Sequence, residues 1–433
     1  KDPRDALVYT PRICGICSVS QSVAAAQALA EAQGIAPTPN GRLATNLILA
    51  CENLADHLSH FYLFFMPDFA RSGYAGRSWH EETAKRFQAQ KGDAYREVLP
   101  ARAQFLHLTG ILAGKWPHSL AIQPGGTTRS IEPQERVRVL GILGAFREFL
   151  ETTVFGGALE EIAVIDGAAG LLQWAVGHPN ADISRFVRIS DSLQLDQLGR
   201  AEDRFMSFGA YETSPENWAF RRGLWENGAL TELDQRQIHE DISHAWMQAQ
   251  PEPRHPLEGI SLPDDNMADG YSWCKAPRIN QQVAEVGAFA RQVVAGHPLA
   301  GDLLKANGGN VHNRIIGRLL ELALVVPLME DWARRLKPRE PFCNTTDMPS
   351  DAEGVGMVEA ARGSLGHWLK IRNGRLINYQ IIAPTTWNFS PRDQKGVPGA
   401  LEQALIGTNV GNAGNDALAI QHIVRSFDPC MVC

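Results

Sequence analysis

Apolar residues recur at helical spacing along most of the chain. After a Cys-x-x-Cys pair near the start, "SVSQSVAAAQALAEAQG" is rich in Ala and Gln and stops at Gly34, which predicts a helix ended by a glycine. The next segment opens with Asn40 and Gly41 and sets Leu43, Leu47, Leu54, Leu58, Phe61 and Phe65 on one buried stripe. Its other face carries Asn46, Asn53, Asp56 and His60, a polar row suited to the interior or to a cleft. The same periodicity predicts helices over roughly 81–108, 133–152, 184–206, 280–295 and 313–336. The exception is "HWLKIRNGRLINYQII", where two strand-like runs flank Asn373-Gly374 and predict a β-hairpin. Residues 207–275 are weakly periodic and read as an irregular excursion. The expected class is mainly α with small β-hairpin elements, an α+β fold. No repeat or low-complexity linker divides the chain, so 1–433 reads as a single domain.

Composition narrows the function more than the fold. The chain has 433 residues, is 44% hydrophobic and carries a formal charge of −7 with the signs interspersed, which offers no footprint for nucleic acid or an anionic membrane. No apolar run reaches the roughly 18 residues of a membrane span, and no basic-then-apolar leader opens the sequence. A cytoplasmic protein is expected. The seven cysteines are too few and too uneven for a secreted disulfide framework, and four of them form two Cys-x-x-Cys pairs, Cys14 with Cys17 and Cys430 with Cys433.

Each pair brings two sulfurs within reach of one metal, and soft thiolates favour zinc, iron–sulfur clusters, copper(I) or nickel. A structural zinc module usually keeps its pairs within some tens of residues, because it organises a small local fold. Here the pairs stand at opposite ends of the chain, so a shared site is built by the global fold and suits cofactor chemistry better than a local staple. Gly15 lets backbone approach a cluster closely, and Pro429 stiffens the approach to the second pair. Cys51, Cys274 and Cys343 lack paired partners and read as structural thiols.

The surrounding motifs carry a resemblance. "PRICGIC", "NLADHLSHFY", "GKWPHSLAIQPGGTT", "EAARGSLGHW", "APTTWNFSPRD" and "SFDPCMVC" run in order from residue 11 to 433. Together they resemble the signatures of the large, catalytic subunit of nickel-iron hydrogenases, whose fold has a large helical-bundle core. The resemblance implies nickel held by Cys14, Cys17, Cys430 and Cys433. It also implies that Cys17 and Cys433 bridge to an iron carrying carbon monoxide and cyanide, leaving Cys14 and Cys430 terminal. The implied reaction is reversible splitting of H2 into two protons and two electrons, with the Cys430 thiolate as proton acceptor. Arg362 matches the family arginine that hangs over the metals and contacts a cyanide. Thr386 matches a donor to cyanide, and Asp56 and Asp428 match carboxylates around the arginine. His57, His60, His118 and His367 fall inside signatures and read as packed, hydrogen-bonded histidines. Only three scattered cysteines remain for an electron chain, so the electrons need an iron–sulfur small subunit as partner. A higher oligomer of such heterodimers is expected.

Three departures qualify the resemblance. Gln21 stands where most relatives have histidine, four residues after Cys17, which replaces a titratable imidazole by a neutral amide beside the metal ligands. This resembles the hydrogen-sensing, or regulatory, hydrogenases and the related cytosolic uptake group. The expected role is therefore an oxygen-tolerant H2 sensor working with a histidine kinase or another regulator, with cytosolic H2 uptake as the alternative. A structural metal-site relative of a respiratory complex I subunit is more remote, because that subunit lacks the four cysteines. Ala361 replaces a proline before the arginine, a change expected to loosen the backbone there. The chain begins 13 residues before Cys14 and stops at Cys433. Either the ends are trimmed, or the family's proton-passing glutamate and the histidine that helps hold a magnesium ion are absent and the usual proton exit and magnesium site with them.

Overall fold

A computed structural model describes residues 1–409 and 417–430. Half of the chain is helical and about 16% is strand, so the α+β expectation holds. The helices that position the site are α1 (Ser18–Gln33), α2 (Pro39–Ser59), α3 (Asp93–Ala113), α4 (Pro133–Phe149), α5 (Asp182–Leu193), α6 (Ala288–Ala295), α7 (Val311–Arg335) and α8 (Leu418–Ser426). The strands used below are β1 (Ile238–Asp241), β2 (Ala276–Ile279), β3 (Ala352–Ala360), β4 (Gly363–Arg372) and β5 (Arg375–Ile382). Long, buried α7 packs against α2, α4 and α6, and α3 fills the layer between α2 and α4. No helix among the described residues is long and apolar enough to cross a membrane.

Helix α1 lies across the antiparallel sheet β3–β4–β5. Its alanines allow a close approach, and the strand answers with glycine: a Cβ on Gly356 or Gly354 would overlap the carbonyl oxygens of Ala24 and Ala28. Gly34 ends α1 in the left-handed conformation at φ 63°, as its position predicts. Asn373 and Gly374 turn β4 into β5 with φ 50° and 69°, the expected hairpin. Strand β3 adds to that hairpin, and its register pairs Ala360 with Gly363, leaving Ala361 and Arg362 as a tight turn.

Several predicted helices are shorter in the structure. The one expected over 81–108 is two, His80–Phe87 and α3, parted where Gln90 takes φ 64°. The one expected over 184–206 ends at Leu193, where Gln194 turns left-handed at φ 52°. The one expected over 280–295 starts only at α6, because Asn280, Gln281 and Gly287 all have positive φ. The stretch 207–275 holds short antiparallel ladders, among them Ala210–Ser214 with Asn217–Phe220, and β1 paired with β2 closes its end.

Candidate metal centre

Three loops converge at one end of α1: its own N-terminal approach, the β3–β4 turn and the segment after α8. The buried sulfurs of Cys14, Cys17 and Cys430 lie within 4.8 Å of one another, with Cys14 and Cys430 at 3.4 Å although 416 positions apart. Cys433 lies outside the described residues. Cys17 is the residue before α1, whose first N–H groups point at this corner. Glu52 of α2 satisfies them, accepting from the backbones of Val19 on Oε2 and Ser20 on Oε1 at 2.9 Å each, while Trp116 Nε1 also donates to Oε2 at 2.9 Å. That buried carboxylate fixes the pair of cysteines to α2.

Crowding fits the thiols to a soft cation. Hydrogen bonding with Cys17 and Cys430, then burial, pushes the Cys14 thiol far up, because sulfurs this close cannot all ionise without positive charge among them. A thiophilic metal held by Cys14, Cys17 and Cys430 would supply that charge in place of the thiol protons. Arg362 supplies more from above: its NH1 meets Asp56 Oδ2 at 2.8 Å, its NH2 meets Asp428 Oδ1 at 3.3 Å, and its Nε donates to the Asp428 carbonyl at 2.9 Å. Burial works against its charge, but Asp56 and Asp428, and after them Cys430 and Cys17, hold the guanidinium firmly protonated. Burial raises Asp56 to about 7 against the pull of Arg362, with Asp428 adding to the rise. Burial also opposes ionisation of Asp428, but Arg362 outweighs it and keeps that carboxyl below its usual range.

Gln21 is buried, and its Oε1 accepts from His367 Nε2 at 2.8 Å. His367 Nδ1 accepts in turn from the Tyr379 hydroxyl at 2.7 Å, and burial lowers this histidine to about 3, so the chain is neutral throughout. Thr386 lines the same cavity as Cys430 and hydrogen-bonds Cys274. The other signature histidines are each hydrogen-bonded as expected: His57 to Glu321 at 3.2 Å, His60 to the Arg425 carbonyl at 2.7 Å and His118 to the Pro11 carbonyl at 2.8 Å. Cys51 is buried against the Phe105 carbonyl, and Cys343 is half-exposed.

Four contributors were not singled out from the sequence. Thr385, beside Thr386, accepts the Cys430 N–H at 3.1 Å. Arg318 of α7 is buried, donates to the Ser426 carbonyl at 2.7 Å and faces Asp428 and Asp56 electrostatically; burial lowers it to about 10. Glu52 is the third. The fourth is Arg291 of α6, fully buried, which donates to the carbonyls of Ala360 at 2.8 Å and Ala361 at 3.3 Å. The turn carrying Arg362 is thus clamped through the carbonyls of Ala360 and Ala361. "DPC" and "RG" beside rare letters draw attention to themselves; a core arginine acting through backbone carbonyls does not.

Comparison with known proteins agrees with this geometry. The family described as nickel-dependent hydrogenase matches residues 1–87 and 180–433. The chain is 28% identical to the periplasmic NiFeSe hydrogenase large subunit of Desulfomicrobium baculatum, over all of this chain and 85% of that protein. It is 27% identical to the hydrogenase-1 large chain of Escherichia coli, over all of this chain and 87% of that one. A solved structure of the Ni-Fe-Se hydrogenase from D. vulgaris Hildenborough superposes with a TM-score of 0.82 at 26% identity, covering all of this chain and 90% of that one.

Proposed function

The chain belongs to the nickel-dependent hydrogenase family and is the large subunit of a nickel–iron hydrogenase; we propose that Cys14, Cys17, Cys430 and Cys433 hold its metals. The observation that carries this assignment is the meeting of three buried sulfurs from opposite ends of the chain beneath Arg362. A nickel–iron centre, when bound, supplies the redox couple at which H2 is cleaved into two protons and two electrons. Around it the chain's own groups have separate tasks. The Cys430 sulfur takes the proton released by heterolysis. Arg362, locked by Asp56 and Asp428, and the Thr386 hydroxyl would supply donors to carbon monoxide and cyanide on a bound iron; such outer donors orient and tune a metal site. The electrons leave through an iron–sulfur small subunit. Val8, Tyr9, Ile13 and Ile16, exposed around the first cysteine pair, offer it an apolar landing beside the centre. Magnesium as an additional ion, and one working domain over 1–433, belong to the same reading.

For the biological role we propose an oxygen-tolerant H2 sensor in the cytoplasm that signals through a histidine kinase. Gln21 favours it: the neutral Gln21–His367–Tyr379 chain has no group beside the ligands that changes charge near neutral pH. The name of one relative, the uptake hydrogenase large subunit of Rhodobacter capsulatus at 27% identity, favours H2 uptake instead. Infrared spectra of the matured heterodimer with metal analysis test the centre: carbonyl and cyanide bands with nickel and iron are expected, and zinc without those bands overturns it. Slow H2 oxidation that persists in air, with a kinase retained on purification, is expected of a sensor. Fast uptake with no kinase partner sinks that role in favour of uptake.

A further inference from the structure

We propose that Lys275, paired with buried Glu240, is the proton-accepting group of the cavity into which Cys430 opens, an inference that rests on the hydrogenase reading above. The cavity encloses about 670 Å³, and Cys430, Thr385 and Thr386 form one wall while Lys275, Ser261 and Gln380 form another. Of this second wall Gln380 lies in β5 while Ser261 and Lys275 lie outside the strands, and Glu240 of β1 backs Lys275 without lining the cavity itself. Glu240 sits within the ladder opposite Pro277, and Lys275 immediately precedes β2. Lys275 Nζ donates to Glu240 Oε2 at 2.6 Å, to Ser261 Oγ at 3.0 Å and to Gln380 Oε1 at 3.3 Å, so its three protons have three acceptors.

Two features set this pair apart from a structural ion pair. Glu240 is 4% exposed, and its second oxygen, Oε1, is buried without a hydrogen-bond partner among the described residues. A half-satisfied buried carboxylate is costly, and an apolar pair of similar volume would serve stability as well or better. The second feature is what the rest of the cavity lacks. Of its other lining groups, the Tyr379 phenol is engaged with His367, and the Cys274 thiol is pushed by burial to about 11. Lys275 alone among these has a carboxylate at hydrogen-bond distance to receive its proton. Burial moves Glu240 upward against the pull of Lys275, so this carboxylate takes a proton more readily than an exposed one.

The transfer balances without further reactants. One Lys275 N–H bond breaks as an O–H bond forms on Glu240, leaving a neutral amine and a neutral acid. The amine then takes one proton arriving in the cavity from the Cys430 side. The pair now holds one proton more than at rest, and returns it to water at the cavity mouth. Electrons take no part; they leave by the partner's clusters as in the parent reaction.

The test uses the complete heterodimer with Lys275→Met, Lys275→Arg and Glu240→Gln, each checked for an intact centre by its carbonyl and cyanide bands. Exchange between D2 and water and the rate of H2 oxidation are expected to fall on the order of a hundredfold in Lys275→Met and Glu240→Gln. Lys275→Arg keeps the charge but does not release a proton near neutral pH, so it is expected to fall equally. Recovery of the rate in Lys275→Arg, or unchanged exchange in all three, overturns the proposal. A second readout needs no metal: in the metal-free heterodimer the infrared carboxyl band of labelled Glu240 is expected to titrate, and to shift in Lys275→Met. A band insensitive to Lys275 counts against the pair. Wild-type protein without D2 exchange would sink the hydrogenase reading itself, a result distinct from any variant effect.

Discussion

Arg291 has five N–H donors and meets five acceptors: two oxygens of Glu321 at 3.0 and 2.7 Å, one of Glu359 at 2.9 Å, and the carbonyls of Ala360 and Ala361. Glu321 also holds His57, the neighbour of Asp56, so one guanidinium fixes both the turn bearing Arg362 and the helix bearing its carboxylate partner. Burial works against ionisation of Glu321, but Arg291 outweighs it and holds the carboxyl at about 2. Lysine in its place keeps the charge and loses the fork. Arg291→Lys is therefore expected to cost about 3 kcal/mol of stability by leaving buried acceptors unmatched. It should also lower H2 oxidation by as much as a hundredfold by displacing Arg362, together with a shift of the cyanide bands. Lost stability with unchanged rate and bands would show that the clamp is structural only. Cys14, Cys17, Cys430 and Arg362, which the structure brings together, were legible because rare letters in fixed company name their chemistry. Arg291, Arg318 and Glu52 were not, since each acts on a remote segment and nothing in its own neighbourhood marks it.

Helices with strong apolar stripes were legible as elements, while their ends were not. Gln90, Gln194, Asn280 and Gln281 stop or delay helices in the left-handed conformation, where glycine is the residue that sequence patterns lead one to expect. Strand β3 was missed for a related reason: "AEGVGMVEA" is glycine-rich and weak in strand propensity, and the glycines serve the close seat of α1 on the sheet. Contacts between elements also decide one titration. His312 of α7 stacks on Phe186 of α5 with centroids 5.5 Å apart, and its Nδ1 meets Ser190 Oγ at 2.7 Å. Burial lowers it from 6.5 to about 4. Between those values the unfolded chain binds a proton that the folded chain does not. The contribution is thus present above pH 6.5 and disappears as pH falls toward 4, at about 1.4 kcal/mol per pH unit. His312→Gln lacks this term. Urea unfolding of both proteins at pH 7, 6 and 5 is expected to show the wild-type advantage shrinking at that slope, and a constant gap would reject it.

At the scale of the molecule, the site closes the chain on itself. Cys14 and Cys430 are 416 positions apart, and joining ends that distant carries a loop entropy on the order of 5 kcal/mol in a flexible chain. Most of that is met by folding around α7 before any metal arrives, because Arg362, Arg318 and Arg425 already tie the C-terminal segment to the turn, to α7 and to the Phe64 carbonyl. Metal bound only by the folded arrangement adds stability by mass action, and it adds it where the ligands attach. The two attachments differ in their support. Cys14 and Cys17 precede α1, which is seated on a three-stranded sheet and capped by Glu52, whereas Cys430 follows α8, a short helix of nine residues, Leu418–Ser426. Local opening is expected at the weaker attachment. Amide exchange on the heterodimer with and without metal should therefore show slowing concentrated in α8 and little change in β3, β4 and β5. Uniform slowing would mean that the metal stabilises the fold globally. Unchanged exchange in α8 would mean that the second cysteine pair does not hold the metal, and the four-thiolate centre would fall with it.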